Sequence, residues 1–106
     1  MPKYLIEATY TAEGIRGLMK DKASGRKAAV ESAVKAVGGK IEGFYFAFGE
    51  ADVYVLCDYP DASTAAAISL AVTGSGAVRA KTTPLLTVEE MDQALGKQVP
   101  YKAPGR

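Results

Sequence analysis

The sequence predicts an α+β domain in which strands and helices follow one another in the order βαββαβ, with a short helix at the end. Alternation with period two marks the strands, and apolar residues at helical spacing mark the segments between them. One short turn joins two of the strands directly. The chain has 106 residues, of which 48% are hydrophobic, so it is the size of one domain with a real core.

The first strand is predicted over Lys3 to Tyr10, where β-forming residues alternate with polar ones. Thr11 can cap the helix that follows. That helix is expected to break between Lys22 and Gly25, and Gly38-Gly39 ends it. Its second part carries an apolar stripe at helical spacing, which consists of Ala29, Val30, Ala33, Val34 and Val37.

The second strand is predicted over Ile41 to Phe48 and the third over Asp52 to Asp58. The compact turn at Gly49–Asp52 connects them, so the two strands must be antiparallel. Three aromatic side chains of the second strand are expected to project together: Phe44, Phe46 and Phe48.

Asp61 is the predicted N-cap of a second helix. This helix is so apolar through Val72 that we expect it to be covered on more than one side. A fourth strand is predicted from Ala77 to Thr83, and Pro84 closes it.

The segment Thr87 to Glu90 has the form of a capping box and opens a last short helix that ends at Gly96. The folded domain is therefore predicted over residues 2–96. Residues 97–106 hold two prolines, a glycine and three basic residues, and are predicted to be an extended or disordered basic tail.

This order of elements is the split βαβ arrangement of ferredoxin-like domains, with strands one and three in the centre of the sheet. The two long helices cover one sheet face, which is predicted to carry Ile6, Ala8, Val53, Val55, Cys57, Val78 and Ala80. The opposite face is rich in leucine and tyrosine, and such a face needs a cover. We expect a second copy to pack against it, giving a dimeric α/β barrel, a homodimer or a higher homo-oligomer.

The same uncovered face is the predicted place for a ligand. A cleft between two paired sheets would be lined by Glu7, Tyr54, Asp58, Arg79 and Lys81, which are the candidate ligand-binding residues. The alternative is that Glu7 forms a cross-strand ion pair with Arg79 or Lys81 inside a dimer interface. Opposite charges on neighbouring strands commonly stabilise sheets, so the sequence favours this alternative.

The composition excludes several kinds of chemistry. The chain has no histidine and one cysteine, so histidine-activated nucleophiles and the usual metal or haem ligand sets cannot be built. No cofactor and no metal are predicted. Cys57 lies in mid-strand without a basic neighbour in sequence, which indicates an inert buried thiol.

The charge pattern gives no sign of a nucleic-acid partner. The formal net charge is +1, and no basic cluster stands out. The basic residues Lys20, Lys22, Arg26 and Lys27 are interpreted as a solvated helix surface. No signal peptide is recognisable, and no apolar stretch approaches the roughly 20 residues that cross a bilayer. A cytoplasmic location without membrane contact is the expectation.

Four segments resemble the GYD-domain family: Pro2–Ile6, Ala29–Lys40, Phe44–Glu50 and Lys81–Thr87. The resemblance extends over residues 2 to about 95. Gly49 and Asp52 match the family's signature after the second strand, and Ala51 stands where the family often has tyrosine. The resemblance implies a bacterial protein with a ferredoxin-like domain related to dimeric α/β-barrel proteins. In that wider group, some members are monooxygenases and others bind small ligands.

Two functions are therefore expected. The first is a homo-oligomeric module that binds a small ligand or serves as a structural unit. The second is a cofactor-independent, monooxygenase-like enzyme acting on a small substrate in the sheet–sheet cleft. In that enzyme Glu7 or Asp58 would be the base, Arg79 or Lys81 would stabilise an anion, and Tyr54 would orient the substrate. A third possibility is a partner-binding subunit that uses its apolar second helix.

Overall fold

The computed structural model describes residues 1–106 and contains one antiparallel sheet with three helices. The strands lie side by side in the order β2-β3-β1-β4, with β1 and β3 central, so the predicted ferredoxin-like fold is confirmed. The elements are β1 (Lys3–Tyr10), α1 (Ala12–Ala36), β2 (Lys40–Phe46), β3 (Val53–Asp58), α2 (Ala62–Gly74), β4 (Val78–Leu85) and α3 (Val88–Leu95).

Each helix begins at the polar cap that the sequence predicts. The Thr11 hydroxyl accepts a hydrogen bond from the Gly14 N–H at 3.2 Å, and Asp61 accepts one from the Thr64 N–H at 2.8 Å. Thr87 and Glu90 form the reciprocal bonds of a capping box. These bonds occupy N–H groups that have no partner inside a helix.

The core lies between the helices and one face of the sheet. It is formed by the side chains that alternation predicts for this face, among them Ala8, Val53, Val55, Cys57 and Val78. The rings of Tyr4 and Tyr59 add to it, with centroids 5.5 Å apart. Val34, from the predicted apolar stripe, is buried against them. The predicted helix-facing set is therefore confirmed.

The start of α1 depends on a close approach to the chain before β4. Gly14 is buried against the backbone there, and a Cβ atom at this position would collide with the carbonyl oxygen of Ala77. The Thr11 hydroxyl also donates to the carbonyl oxygen of Gly76 or Ala77, at 3.0 and 3.2 Å. The glycine lets these two segments pack together.

Three predictions about individual elements are wrong. β2 ends at Phe46 instead of Phe48, so the connection to β3 spans residues 47–52 and Phe48 is fully exposed. β4 continues through Pro84 to Leu85, because an edge strand tolerates a residue without an N–H. The helix α2 is covered on one side only: Ala65 is its one buried residue, and Leu70 is 73% exposed.

The predicted break in α1 is confirmed at Lys22, which has a φ of 67° and a ψ of 167° between two helical stretches. At the other end of the chain, α3 buries no residue. No hydrogen bond or ion pair joins residues 86–106, here named the C-terminal arm, to the rest of the chain. The chain accordingly measures 57 × 32 × 22 Å.

Candidate functional site

The sheet face opposite the helices, here named the open face, carries all five candidate ligand-binding residues. The strand register places Tyr54 of β3 and Lys81 of β4 directly opposite Glu7 of β1, one on each side. Tyr45 of β2 is paired with Tyr54. Residues opposite one another on neighbouring strands share a face, so these four side chains form one row across the sheet.

The five candidates do not converge on one point. Asp58 is paired with Lys3 at one end of β1, whereas Arg79 is paired with Thr9 near the other end. These two positions are separated by six residues of β1, or roughly 20 Å along the strand. The structure therefore brings Glu7, Tyr54 and Lys81 together and leaves Asp58 and Arg79 on opposite sides of this group.

The ion pairs of the open face differ from the predicted ones. Glu7 has no ion pair with Arg79 or Lys81 within the chain. Instead the Lys3 ammonium group contacts Glu42 at 2.7 Å and Asp58 at 3.0 Å. The hydrogen bonds to Glu42 and then to Asp58 raise the pKa of Lys3. Asp58 is therefore already engaged by a cation, which makes it a poor choice for a general base.

Next to this ion pair, β2 has an irregularity that the sequence alone did not reveal. The pairing of β2 with β3 shifts between Ile41, opposite Cys57, and Gly43, opposite Leu56, so Glu42 is an extra residue in β2. Such a β-bulge redirects a side chain. Alternation from Ile41, which packs on the core side, places Glu42 on the open face with Lys3, and the bulge then returns Phe44 to the core side.

Apolar side chains fill the space between the charged ones. Leu5 and Leu56 are paired across β1 and β3 at the centre of the open face and are half-buried. Tyr45 is 71% exposed. The open face thus combines a central leucine pair with a row that contains two tyrosines, a carboxylate and an ammonium group, and no helix of the chain packs on it.

A second concave region lies on the helix side of the sheet and was missed by the sequence analysis. The crevice between α1 and α2 has a volume of about 560 Å³, within the range of sites for small molecules. Arg26 lines it, although its sequence neighbours indicated a solvated surface. That prediction is wrong for Arg26, because α1 turns this position toward the sheet.

Cys57 and Tyr59 carry no reactive chemistry in the core. Cys57 has no exposed surface, and burial raises the pKa of its thiol. Burial, followed by a hydrogen bond with Cys57, also raises the pKa of Tyr59. Both groups are held in their neutral forms, and the interpretation of Cys57 as an inert buried thiol is confirmed.

The turn after β2 is fixed to the end of β1. The Asp52 carboxylate accepts a hydrogen bond from the Tyr10 N–H at 2.9 Å, and the Asp52 N–H donates to the Ala8 carbonyl at 2.8 Å. Ala51, in the position where a tyrosine would complete the signature, is buried. The role visible for Asp52 in the structure is to hold this turn in place.

No three Asp, Glu or Cys side chains are grouped in a way that would hold a metal ion. None of the helices combines the length and the apolar character needed to cross a membrane.

A comparison with protein-family models gives a match to the GYD domain over residues 4–95. No curated protein and no solved structure matches the chain.

Proposed function

The chain belongs to the GYD-domain family, and from this premise we propose that it is a homodimeric module that binds a small molecule between two paired sheets. The observation that carries the proposal is the open face, whose leucine and tyrosine side chains no part of the same chain covers. Uncovered apolar faces of this kind are typical of interaction surfaces. A second copy with the same face is a partner of matching shape and chemistry.

The C-terminal arm supports the same assembly. The helix α3 has an apolar side made of Val88, Met91 and Leu95, which are 81%, 47% and 76% exposed. No hydrogen bond or ion pair holds this helix to the sheet of its own chain. Arms of this kind are stable when they pack on another copy, as in exchanged segments of dimers.

Charge complementarity favours the β4 edge of the open face, beside the paired sheets, as the place where this arm packs. The turns of α3 carry acidic residues and no basic ones, as seen at Glu89 and Glu90. The open face exposes Arg79 and Lys81 on β4. Opposite charges at the rim of an interface fix its register and partner.

The ligand would lie where the two sheets face each other. Glu7, Tyr54 and Lys81 supply an acceptor, an aromatic ring and a cation within one row, and Asp58 and Arg79 flank them. A small molecule with a ring and a negative group suits this combination, since the ring can stack on Tyr54 and the anion can pair with Lys81. No cofactor is required for this binding.

The first test is the mass of the protein in solution. We expect the purified chain to have the mass of a dimer by light scattering, and Leu56→Arg to have the mass of a monomer, because it places a charge at the centre of the interface. The matched control is Leu70→Arg, since Leu70 is 73% exposed on α2, away from the open face. A monomeric wild-type protein, or a dimeric Leu56→Arg variant, would contradict the proposed assembly.

The second test uses benzoate as a probe of the cleft. In an NMR titration we expect the amide signals of Glu7, Tyr54 and Lys81 to shift, and Lys81→Gln to weaken binding about fivefold, because a charged hydrogen bond is lost. The exposed Lys35 on α1 provides the control variant, Lys35→Gln. Equal binding by the monomeric Leu56→Arg variant would show that benzoate does not need the paired sheets.

A further inference from the structure

The crevice between α1 and α2 exists because the two helices lie apart on the sheet. α1 packs against β1 and β2, while α2 packs against β4. The opening between them leads down to a second, smaller space of about 70 Å³ on the sheet surface. Both spaces are lined by Val30, Val34, Ile68 and Val72, so they are two parts of one site, here named the helix-side crevice.

The lining of the helix-side crevice is strongly apolar. In the inner part, 14 of the 17 lining residues are hydrophobic, and they come from both helices and all four strands. In the outer part, 10 of the 16 lining residues are hydrophobic. A small-molecule site has this character: an apolar wall with a few polar groups that fix the orientation of the ligand.

Arg26 is the basic group of this wall. It lies one helical turn before Val30 and two turns before Val34, so all three residues share the face of α1 that is directed at the sheet. An apolar residue at position 26 would continue the core there. Arg26 instead borders both the inner and the outer part of the crevice.

The Arg26 side chain also has an unused hydrogen-bond donor. Its Nε is the one buried side-chain nitrogen or oxygen in the chain without a hydrogen-bond partner. A buried donor without an acceptor costs free energy, so such a group calls for a partner. No carboxylate of the chain forms an ion pair with Arg26.

We infer that the helix-side crevice binds a monocarboxylate with an apolar chain, with its carboxylate on Arg26 and its chain along the valines of α1 and α2. The guanidinium group offers the forked donors that a carboxylate prefers. Two acidic residues, Glu13 and Asp21, border the outer part only, and they disfavour a carboxylate there. The apolar chain is matched by the apolar wall.

This site is separate from the proposed cleft, because it lies on the other side of the sheet and is built from one chain. Calorimetry with octanoate and with octanol, which share the same chain, tests it. We expect octanoate to bind about tenfold more tightly than octanol, and Arg26→Gln to abolish that difference. Lys27→Gln is the matched control, since Lys27 is the exposed neighbour on the same helix. Amide shifts should fall on Val30, Val34 and Ile68.

A second pair of variants tests the cavity itself. Ser69 lines the inner part and Leu70 does not, so Ser69→Phe should block both ligands and Leu70→Phe should block neither. Equal affinity for octanoate and octanol in the wild-type protein would overturn the role of Arg26. Shifts confined to the open face would overturn the site. Neither result depends on whether the protein is a dimer.

Discussion

Lys22 has a backbone conformation that only glycine adopts without strain. Its φ of 67° and ψ of 167° interrupt α1, and it is the one residue other than glycine with a positive φ. Conformations of this kind cost about 1–3 kcal/mol and persist where the surroundings impose them. Here the packing of α1 imposes the strained conformation of Lys22. The break at this residue reorients the second helical stretch, so that Arg26, Val30 and Val34 face the sheet.

Lys22→Gly is therefore expected to stabilise the protein. The glycine relieves the strain at this position, and the free energy of unfolding should rise by about 1 kcal/mol. Lys27→Gly is the matched control. Lys27 is exposed and helical, so a glycine there should lower the free energy of unfolding by about 1 kcal/mol. Urea unfolding of both variants gives the two values, and a loss of stability in Lys22→Gly would show that the break carries no strain.

The sequence was informative at the residue scale where a residue acts on its near neighbours. Thr11, Asp61 and Thr87 were predicted as caps because a cap bonds to N–H groups two or three residues ahead. Arg26 was not predicted, since its burial depends on which way α1 turns after Lys22 and on how far α2 lies from α1. The pairing of Lys3 with Glu42 likewise joins two residues that are far apart in sequence and lie on strands separated by β3.

At the scale of elements, the order of the strands and helices and the topology of the sheet could be predicted from the sequence. The residue at which a strand ends and the degree to which a helix is covered could not. Alternation and apolar stripes identify each strand and helix because they reflect which side faces the core. The end of β2 was placed too late because Phe48 has high strand propensity, although the turn draws it out of the sheet. The exposure of α2 was missed because an apolar helix does not specify what covers it.

The helix α3 gives the element scale its own test. A helix of eight residues is only marginally stable without packing, even with a capping box. If α3 packs on a second copy, its amide protection should rise with protein concentration, while the protection of α2 should stay constant. Hydrogen exchange at a low and a high concentration measures both. In the Leu56→Arg variant α3 should be unprotected at both concentrations, and protection in that monomer would contradict packing between copies.

At the scale of the whole molecule, the shape is more extended than that of a compact domain of this length. The radius of gyration is 16.9 Å, whereas a compact chain of about 100 residues has about 13 Å. The excess comes from the C-terminal arm, which has no hydrogen bond or ion pair to the domain. The arm and the open face are both uncovered in the single chain, and the proposed dimer would cover both.

The stability of the whole molecule should depend on alkaline pH through Cys57 and Tyr59. Burial raises the pKa of both groups above the usual values of 9.0 and 10.0 that apply in the unfolded chain. Above those values the unfolded state loses protons that the folded state keeps, so the free energy of unfolding falls as the pH rises. Below about pH 8, both groups are protonated in the folded and in the unfolded state, so they do not change the free energy of unfolding with pH.

The contribution of Tyr59 can be separated by removing its hydroxyl group. Tyr59→Phe keeps a ring beside Tyr4 but has no hydroxyl group that could ionise. The free energy of unfolding of the variant should therefore fall less than that of the wild-type protein between neutral pH and about pH 11. Tyr45→Phe is the control, because it removes the same hydroxyl group from a tyrosine that is 71% exposed and lies outside the core. Urea unfolding across this range measures the slopes. Identical slopes for Tyr59→Phe and the wild-type protein would mean that Tyr59 ionises as readily in the folded core as in water.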